Sequence, residues 1–347
     1  MFSSKSRKIS AVAIVIVIIV AAVGVWWATT PKAPVVEKPV NVRFLTTAVG
    51  SGWYLMGAAL AEEMKKVLPA GSKVEIDPGG AAISNVILLH KGEGDVAFSF
   101  SPVGKWAWDG VKEAGFDEKM TNVRLLATGL DTYWVPFAVT KEFDKKYPIK
   151  YVSDIKEKKY PIRLTTWTKG GLGEYGCRLL LREHGITYAD IESWGGKVFY
   201  LPAEPAADTI KTGKADAISL SWTPKHPTYT DMMITVDMKF LPLEEEVFKK
   251  LSDQHGFTRG VIRAGEFKGV DKDVTPVLGM TTNLLVKKDL PDAVVYAFTK
   301  VLCEKKDALI VAYKPMEVFK PETAWKEVGY PLHPGAEIYY KEKGYVK

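Results

Sequence analysis

Only two cysteines occur in the 347 residues, Cys177 and Cys303, and they stand far apart. This excludes a disulfide framework and a cysteine-built metal site. Two buried free thiols are the expectation, with a single long-range bridge as the alternative. The five histidines (His90, His184, His226, His255 and His333) are isolated, and no pair has zinc-ligand spacing. Charge of one sign is nowhere concentrated. Lys and Arg number 47 against 41 Asp and Glu, and three of the basic residues (Lys5, Arg7, Lys8) precede an apolar run, which leaves 44 to 41 in the rest. With neither a basic stripe nor an acidic tail, nucleic acid is excluded as the expected partner. The glycine-broken loops also lack a paired nucleophile and base, so ligand capture is expected there rather than catalysis, with no cofactor.

One long hydrophobic run is present. Ile9 to Ala28 is twenty residues without a charge, about the length of a membrane-spanning helix. After Trp27 comes Ala-Thr-Thr-Pro-Lys-Ala-Pro, without an A-x-A-like cleavage site or a cysteine for lipid attachment. The expectation is therefore an uncleaved N-terminal transmembrane anchor within residues 1–30. The basic flank stays inside and the body is exported to the periplasmic or extracellular face. Residues 31–40 read as a Pro-rich tether.

The exported body has the length for two cores. Residues 42–49 read as a strand entering Gly50-Ser51-Gly52. The following helix, from about Trp53 to Leu68, has an apolar stripe at 53, 56, 60, 64 and 67. A second strand (73–76) ends in Asp77-Pro78-Gly79-Gly80 before another helix, and a third (95–100) ends in Ser101-Pro102. Strand ends followed by helix N-termini form an anion cradle, in which free N–H groups and helix dipoles face one crevice of a parallel sheet. The rhythm repeats after Lys-rich residues 141–161, with a strand at 162–167, a glycine loop, a helix, a strand at 197–202, the helix at 203–213 and a strand at 216–222. A late strand at 278–291 suits a return crossing. Two crossings make a hinge. The expected division is an α/β domain I at 41–140 and 276–347, and an α/β domain II at 141–275.

The candidate ligand-binding residues lie on these loops. The first supplies Thr47, Ser51, Gly52, Trp53 and Tyr54; the second and third supply Gly80, Ser84, Ser99 and Ser101; Tyr133 lies at the first crossing. Domain II supplies Trp167, Lys169, Gly170, Gly171, Ser221 and Trp222. Aromatics at strand-to-helix junctions favour a pocket wall, and Lys169 is the candidate counter-charge. Gly171-Leu172-Gly173-Glu174-Tyr175-Gly176 also fits the dinucleotide pattern G-x-G-x-x-G. Its mid-chain position, the four residues between strand and first glycine, and the exported setting argue against a nucleotide site. Glu244 to Glu246 read as an exposed acidic helix face.

Four motifs carry a resemblance. They are the segment Gly50-Ser51-Gly52-Trp53-Tyr54-Leu55-Met56-Gly57, residues 78–101, Arg263-Ala264-Gly265-Glu266-Phe267-Lys268-Gly269 with the strand after it, and Pro331-Leu332-His333-Pro334-Gly335-Ala336. In this order the chain resembles the TAXI-type solute-binding receptors of TRAP (tripartite ATP-independent periplasmic) transporters. The resemblance implies a two-domain, hinged, type II periplasmic-binding-protein fold. It also implies capture of a small organic acid and delivery to TRAP membrane subunits. The chain departs from the family pattern where threonine becomes Gly52, tyrosine becomes Trp53 and serine becomes Ala81. Fewer hydroxyl donors and more aromatic wall imply a carboxylate with a sizeable apolar or aromatic portion. An exported membrane-anchored enzyme and a tethered ligand-sensing domain are the rival readings.

Overall fold

The computed structural model describes residues 33–326 and 329–346. The expected anchor at residues 9–28 lies outside the described residues. Among those described, no helix is long and apolar enough to cross a membrane. The strands in chain order are β1 (Asn41–Leu45), β2 (Lys73–Asp77), β3 (Val96–Phe100), β4 (Val123–Ala127), β5 (Tyr133–Val135), β6 (Phe137–Thr140), β7 (Arg163–Thr166), β8 (Lys197–Tyr200), β9 (Ala217–Ser219), β10 (Met238–Leu241), β11 (Thr258–Ile262), β12 (Val274–Met280) and β13 (Thr282–Lys287). They form one five-stranded sheet in the order β2-β1-β3-β13-β4, a second in the order β10-β6-β9-β7-β8, and a three-stranded sheet β11-β12-β5.

The fold is α/β, but its sheets are mixed rather than parallel throughout. β1 pairs in parallel with β2 and β3, as the strand–loop–helix rhythm requires. The returning β13 then inserts antiparallel between β3 and β4. In the second sheet β7 is parallel to β8 and β9, while β6 is antiparallel to β9 and β10. A crossover helix fixes parallel pairing only for the units it joins; strands arriving from the other block are free to run the other way.

Two extended runs, one of them the expected late strand, are each cut in two. The run at 134–140 breaks at Pro136, which has no N–H to give a ladder, so β5 and β6 join different sheets. The run beginning at 278 breaks at Thr281. Its N–H goes to Ser101 Oγ (3.3 Å) and its hydroxyl to the Asp131 carbonyl (2.6 Å).

The helix Gly52–Lys65 buries Trp53, Met56, Leu60 and Met64, the expected stripe. Val67 lies beyond the Lys66 cap and is exposed. β3 is buried from Val96 to Ser99, as a strand covered on both faces should be. Cys177 and Cys303 are buried free thiols, and burial pushes them up to about 11 and about 12.

The acidic run at 244–246 is not a uniform exposed face. Glu244 accepts from Ser153 Oγ (2.5 Å) and lies 2.9 Å from His184 Nε2. These partners hold its carboxyl below the ordinary range despite partial burial.

Candidate functional site

Three helices begin at one cleft of about 300 Å³. On one side are Thr47, Ser51, Gly52 and Trp53, with Ala81, Ala82 and Phe100 from the next two strand ends and Tyr133 from the first crossing. Facing them are Trp167, Leu172, Gly173 and Ser221. Seven of the sequence-predicted contacts (Thr47, Ser51, Gly52, Trp53, Tyr133, Trp167 and Ser221) are thus brought together from both α/β blocks.

The local chemistry follows from the caps. Ser51 is the N-cap of helix Gly52–Lys65, and its Oγ accepts from Tyr54 N–H (3.2 Å) while lying 2.6 Å from Thr47 Oγ1. The N–H groups of Gly52 and Trp53 then have no acceptor among the described residues. In the helix Ala82–His90, Ser84 Oγ accepts from Ala81 N–H (2.8 Å), and the N–H groups of Ala82 and Ile83 are unengaged. The helix Leu172–Glu183 leaves Leu172 and Gly173 N–H unengaged in the same way. First-turn N–H groups of three helices are therefore available around one cavity, where the helix dipoles favour negative charge.

In the loop after β7 the unengaged N–H groups sit two residues later than the sequence suggested. Gly170 N–H donates to Glu174 Oε2 (3.1 Å) and Gly171 N–H to the Thr168 carbonyl (3.0 Å), so neither is free for a ligand. Lys169 is exposed, and its ammonium lies 4.5 Å from the Tyr200 ring centre, away from the cleft lining. The cleft lining has no Lys, Arg or His.

Other expected contacts belong to the framework. Trp222 is 1% exposed and packs on Tyr229, with ring centres 3.9 Å apart, and on Phe240; it is a core aromatic, not a pocket wall. Ser99 Oγ donates to the Ala82 carbonyl (2.9 Å), and Ser101 ties the end of β3 to Thr281. Gly80 has no room for a side chain because Asn85 Oδ1 and the Thr46 carbonyl occupy that place. Tyr54 is half-buried and outside the cleft lining. For Ser99 and Ser101 the strand-end position was right, but the hydroxyl is engaged inward.

The glycines of the G-x-G-x-x-G pattern have the same kind of explanation. A Cβ at Gly171 would meet the Trp167 indole, one at Gly173 the Ser221 N–H (2.7 Å), and one at Gly176 the Val135 side chain (3.2 Å). These glycines are thus accounted for by close packing of the protein's own atoms.

Behind the aromatic wall lies a cluster with no sequence signal. Trp53 Nε1–H donates to Thr282 Oγ1 (3.0 Å). Asp131, 1% exposed, accepts from Thr282 N–H (3.0 Å) and from the Tyr313 hydroxyl (3.1 Å). Burial pushes its carboxyl up to about 6, against the hydrogen bonds from Thr282 and Tyr313. Trp53, Phe100 and Tyr133 pack in sequence beside it, the first pair tilted and the second edge-on, each ring centre 4.8 Å from the next.

The family model for the NMT1-like family matches residues 44–344, nearly all of the described chain. The chain belongs to the NMT1-like family. A TctC solute binding protein from Polaromonas shares the fold of this NMT1-like chain. It is 16% identical, with 89% of this chain and 99% of that one covered and a TM-score of 0.53. MatC (Rpa3494) from Rhodopseudomonas palustris, with bound malate, is 13% identical over 89% of this chain and 100% of that one, with a TM-score of 0.48. The periplasmic aliphatic sulphonate binding protein SsuA from Escherichia coli is 14% identical over 88% and 79%, with a TM-score of 0.44. At such identities the likeness to the Polaromonas protein speaks to the fold alone.

Proposed function

We propose that this chain is an extracytoplasmic solute-binding receptor that captures an organic anion, a carboxylate, in a cleft between two hinged α/β lobes. It is not an enzyme on this reading. One observation carries the proposal: unengaged N–H groups at three helix starts lie around a cavity that Trp53, Phe100, Tyr133 and Trp167 also line. The carboxylate sits on the N–H groups of Gly52, Trp53, Leu172 and Gly173, and Trp53, Phe100, Tyr133 and Trp167 hold its apolar part. The fold shared with a solute binding protein supports the reading, and so does the resemblance of the four motifs to TAXI receptors. On that resemblance the loaded receptor docks to TRAP membrane subunits, with residues 9–28 as its tether at the periplasmic face.

The test is native mass spectrometry of the full-length chain incubated with a panel of organic acids. The expected result is a one-to-one adduct with at least one acid, and every acid recovered unchanged. Steady product formation at enzyme-like rates would overturn the proposal.

A further inference from the structure

Tyr313 belongs to none of the segments that the sequence singles out, yet it stands directly against the first loop of the cleft. It follows the helix Lys306–Ala312 as its C-cap. A Cβ on Gly52 would lie 2.9 Å from Tyr313 Cζ and 3.1 Å from its hydroxyl oxygen. Gly52 opens its helix and lines the cleft. No side chain can stand at position 52 while the phenol is there, so the ring fills the place that such a side chain would take.

The ring is held from behind. Its hydroxyl donates to Asp131 (3.1 Å), whose other oxygen accepts from Thr282 N–H (3.0 Å). Thr282 in turn accepts from the Trp53 indole (3.0 Å). Asp131 therefore ties together the two crossing segments and the C-terminal segment around a single ring. Its partners are neutral donors on Thr282 and Tyr313, with no Lys, Arg or His among them. A carboxylate buried with such partners costs stability that an apolar filler would not. What it confers is a phenol fixed in one orientation against Gly52, behind the cleft lining.

We propose that Tyr313, fixed by Asp131, sets the depth of the cleft at Gly52 and thereby selects the length of the acid it accepts. Tyr313 is a specificity residue on this account and Asp131 its positioning residue. The inference rests on the carboxylate reading above, because it places the anionic end of the ligand on the Gly52 and Trp53 N–H groups. Removing the ring opens a phenol-sized space beside that end, so a longer or branched acid can seat where it was excluded.

The experiment is calorimetric titration of the full-length chain with two probe series: straight-chain acids from acetate to octanoate, and phenylalkanoates from phenylacetate to phenylbutyrate. Wild type is expected to show an affinity maximum at one length. Y313A moves the maximum to longer acids, changing the preference between neighbouring lengths by about tenfold or more. Y313F keeps most of the ring but loses its tie to Asp131, so it is expected to shift the maximum in the same direction as Y313A and by less. G52A displaces the ring and weakens binding of the preferred acid, and Y313A in the same chain restores room for the methyl. G52A also keeps the test decisive if Y313A alone does not fold. An unmoved maximum in Y313A, or in G52A no loss of affinity, would overturn the inference alone. A wild type that binds no member of either series would overturn the carboxylate reading and this inference with it.

Discussion

At the residue scale, Trp167 and Trp222 show what separates a wall from a core. Both follow strand ends in the sequence, and nothing in their neighbours distinguishes them. Trp167 lies half-buried on Gly171 at the cleft, while Trp222 is enclosed by Tyr229, Phe240 and Phe267. W167A is therefore expected to weaken binding of the preferred acid by about 2 kcal/mol with little change in melting temperature. W222A should destabilise the fold by about 3 kcal/mol or more, read by denaturant unfolding. K169A, by contrast, should leave affinity nearly unchanged in calorimetry, because its ammonium rests on Tyr200 and outside the cleft lining.

Asp131 gives a second prediction at this scale. Its folded pKa is raised from 3.8 to about 6 by burial, so the folded state holds its proton more tightly than the unfolded one. Stability from this group is greatest below the unfolded value, falls as pH rises from about 4 to about 6, and is level above that. D131N removes the titration. Measured by denaturant unfolding, the stability of D131N relative to wild type should rise between pH 4 and pH 7 by about 3 kcal/mol at most. A difference that stays flat with pH would show that Asp131 is not the buried titrating group.

At the scale of elements, the sequence made helix starts and the parallel core of each sheet legible, because both rest on local signals. The stripe from Trp53 to Met64 and the glycine turn before it appear where periodicity places them, with Ser51 as the cap between them. Antiparallel insertion of β13 was not legible, since pairing between strands nearly two hundred residues apart leaves no mark in either strand. The site divides the same way. Loop residues that face the cavity and loop residues that face the core carry the same residue types. Only the third dimension shows that Ser84, Ser99 and Ser101 are engaged by backbone groups. Tyr313 had no motif at all; the one clue was a glycine at position 52 where the related pattern has a larger residue.

The glycines after β7 supply a test of this level. G173A would place its methyl 2.7 Å from Ser221 N and close to Ser221 Oγ, forcing the start of the helix Leu172–Glu183 away from the cleft. The expected outcome is loss of acid binding by at least about tenfold in calorimetry, together with a lower melting temperature. Retained binding would show that Leu172 and Gly173 N–H do not serve the ligand.

For the whole molecule, the two crossings are knitted to each other at the level of Asp131. Leu130 N–H donates to the Thr282 carbonyl (3.2 Å), and Thr282 N–H returns to Asp131 (3.0 Å). On the two-lobe reading proposed above, hinging at these segments would carry the Trp167 side of the cleft towards the Trp53 side without unmaking either sheet. Closure on a ligand is the behaviour expected of a receptor, and the cleft between the two blocks is where the anion belongs on this account. The central claim is the anion itself, and the most direct measurement compares each acid with its own amide. Calorimetric titration of the full-length chain is predicted to give one-to-one binding of at least one apolar or aromatic carboxylate, weakened by about tenfold or more in the isosteric amide. Equal affinity for acid and amide, or tight binding of glutamate or 2-oxoglutarate with no gain for larger apolar acids, would contradict it.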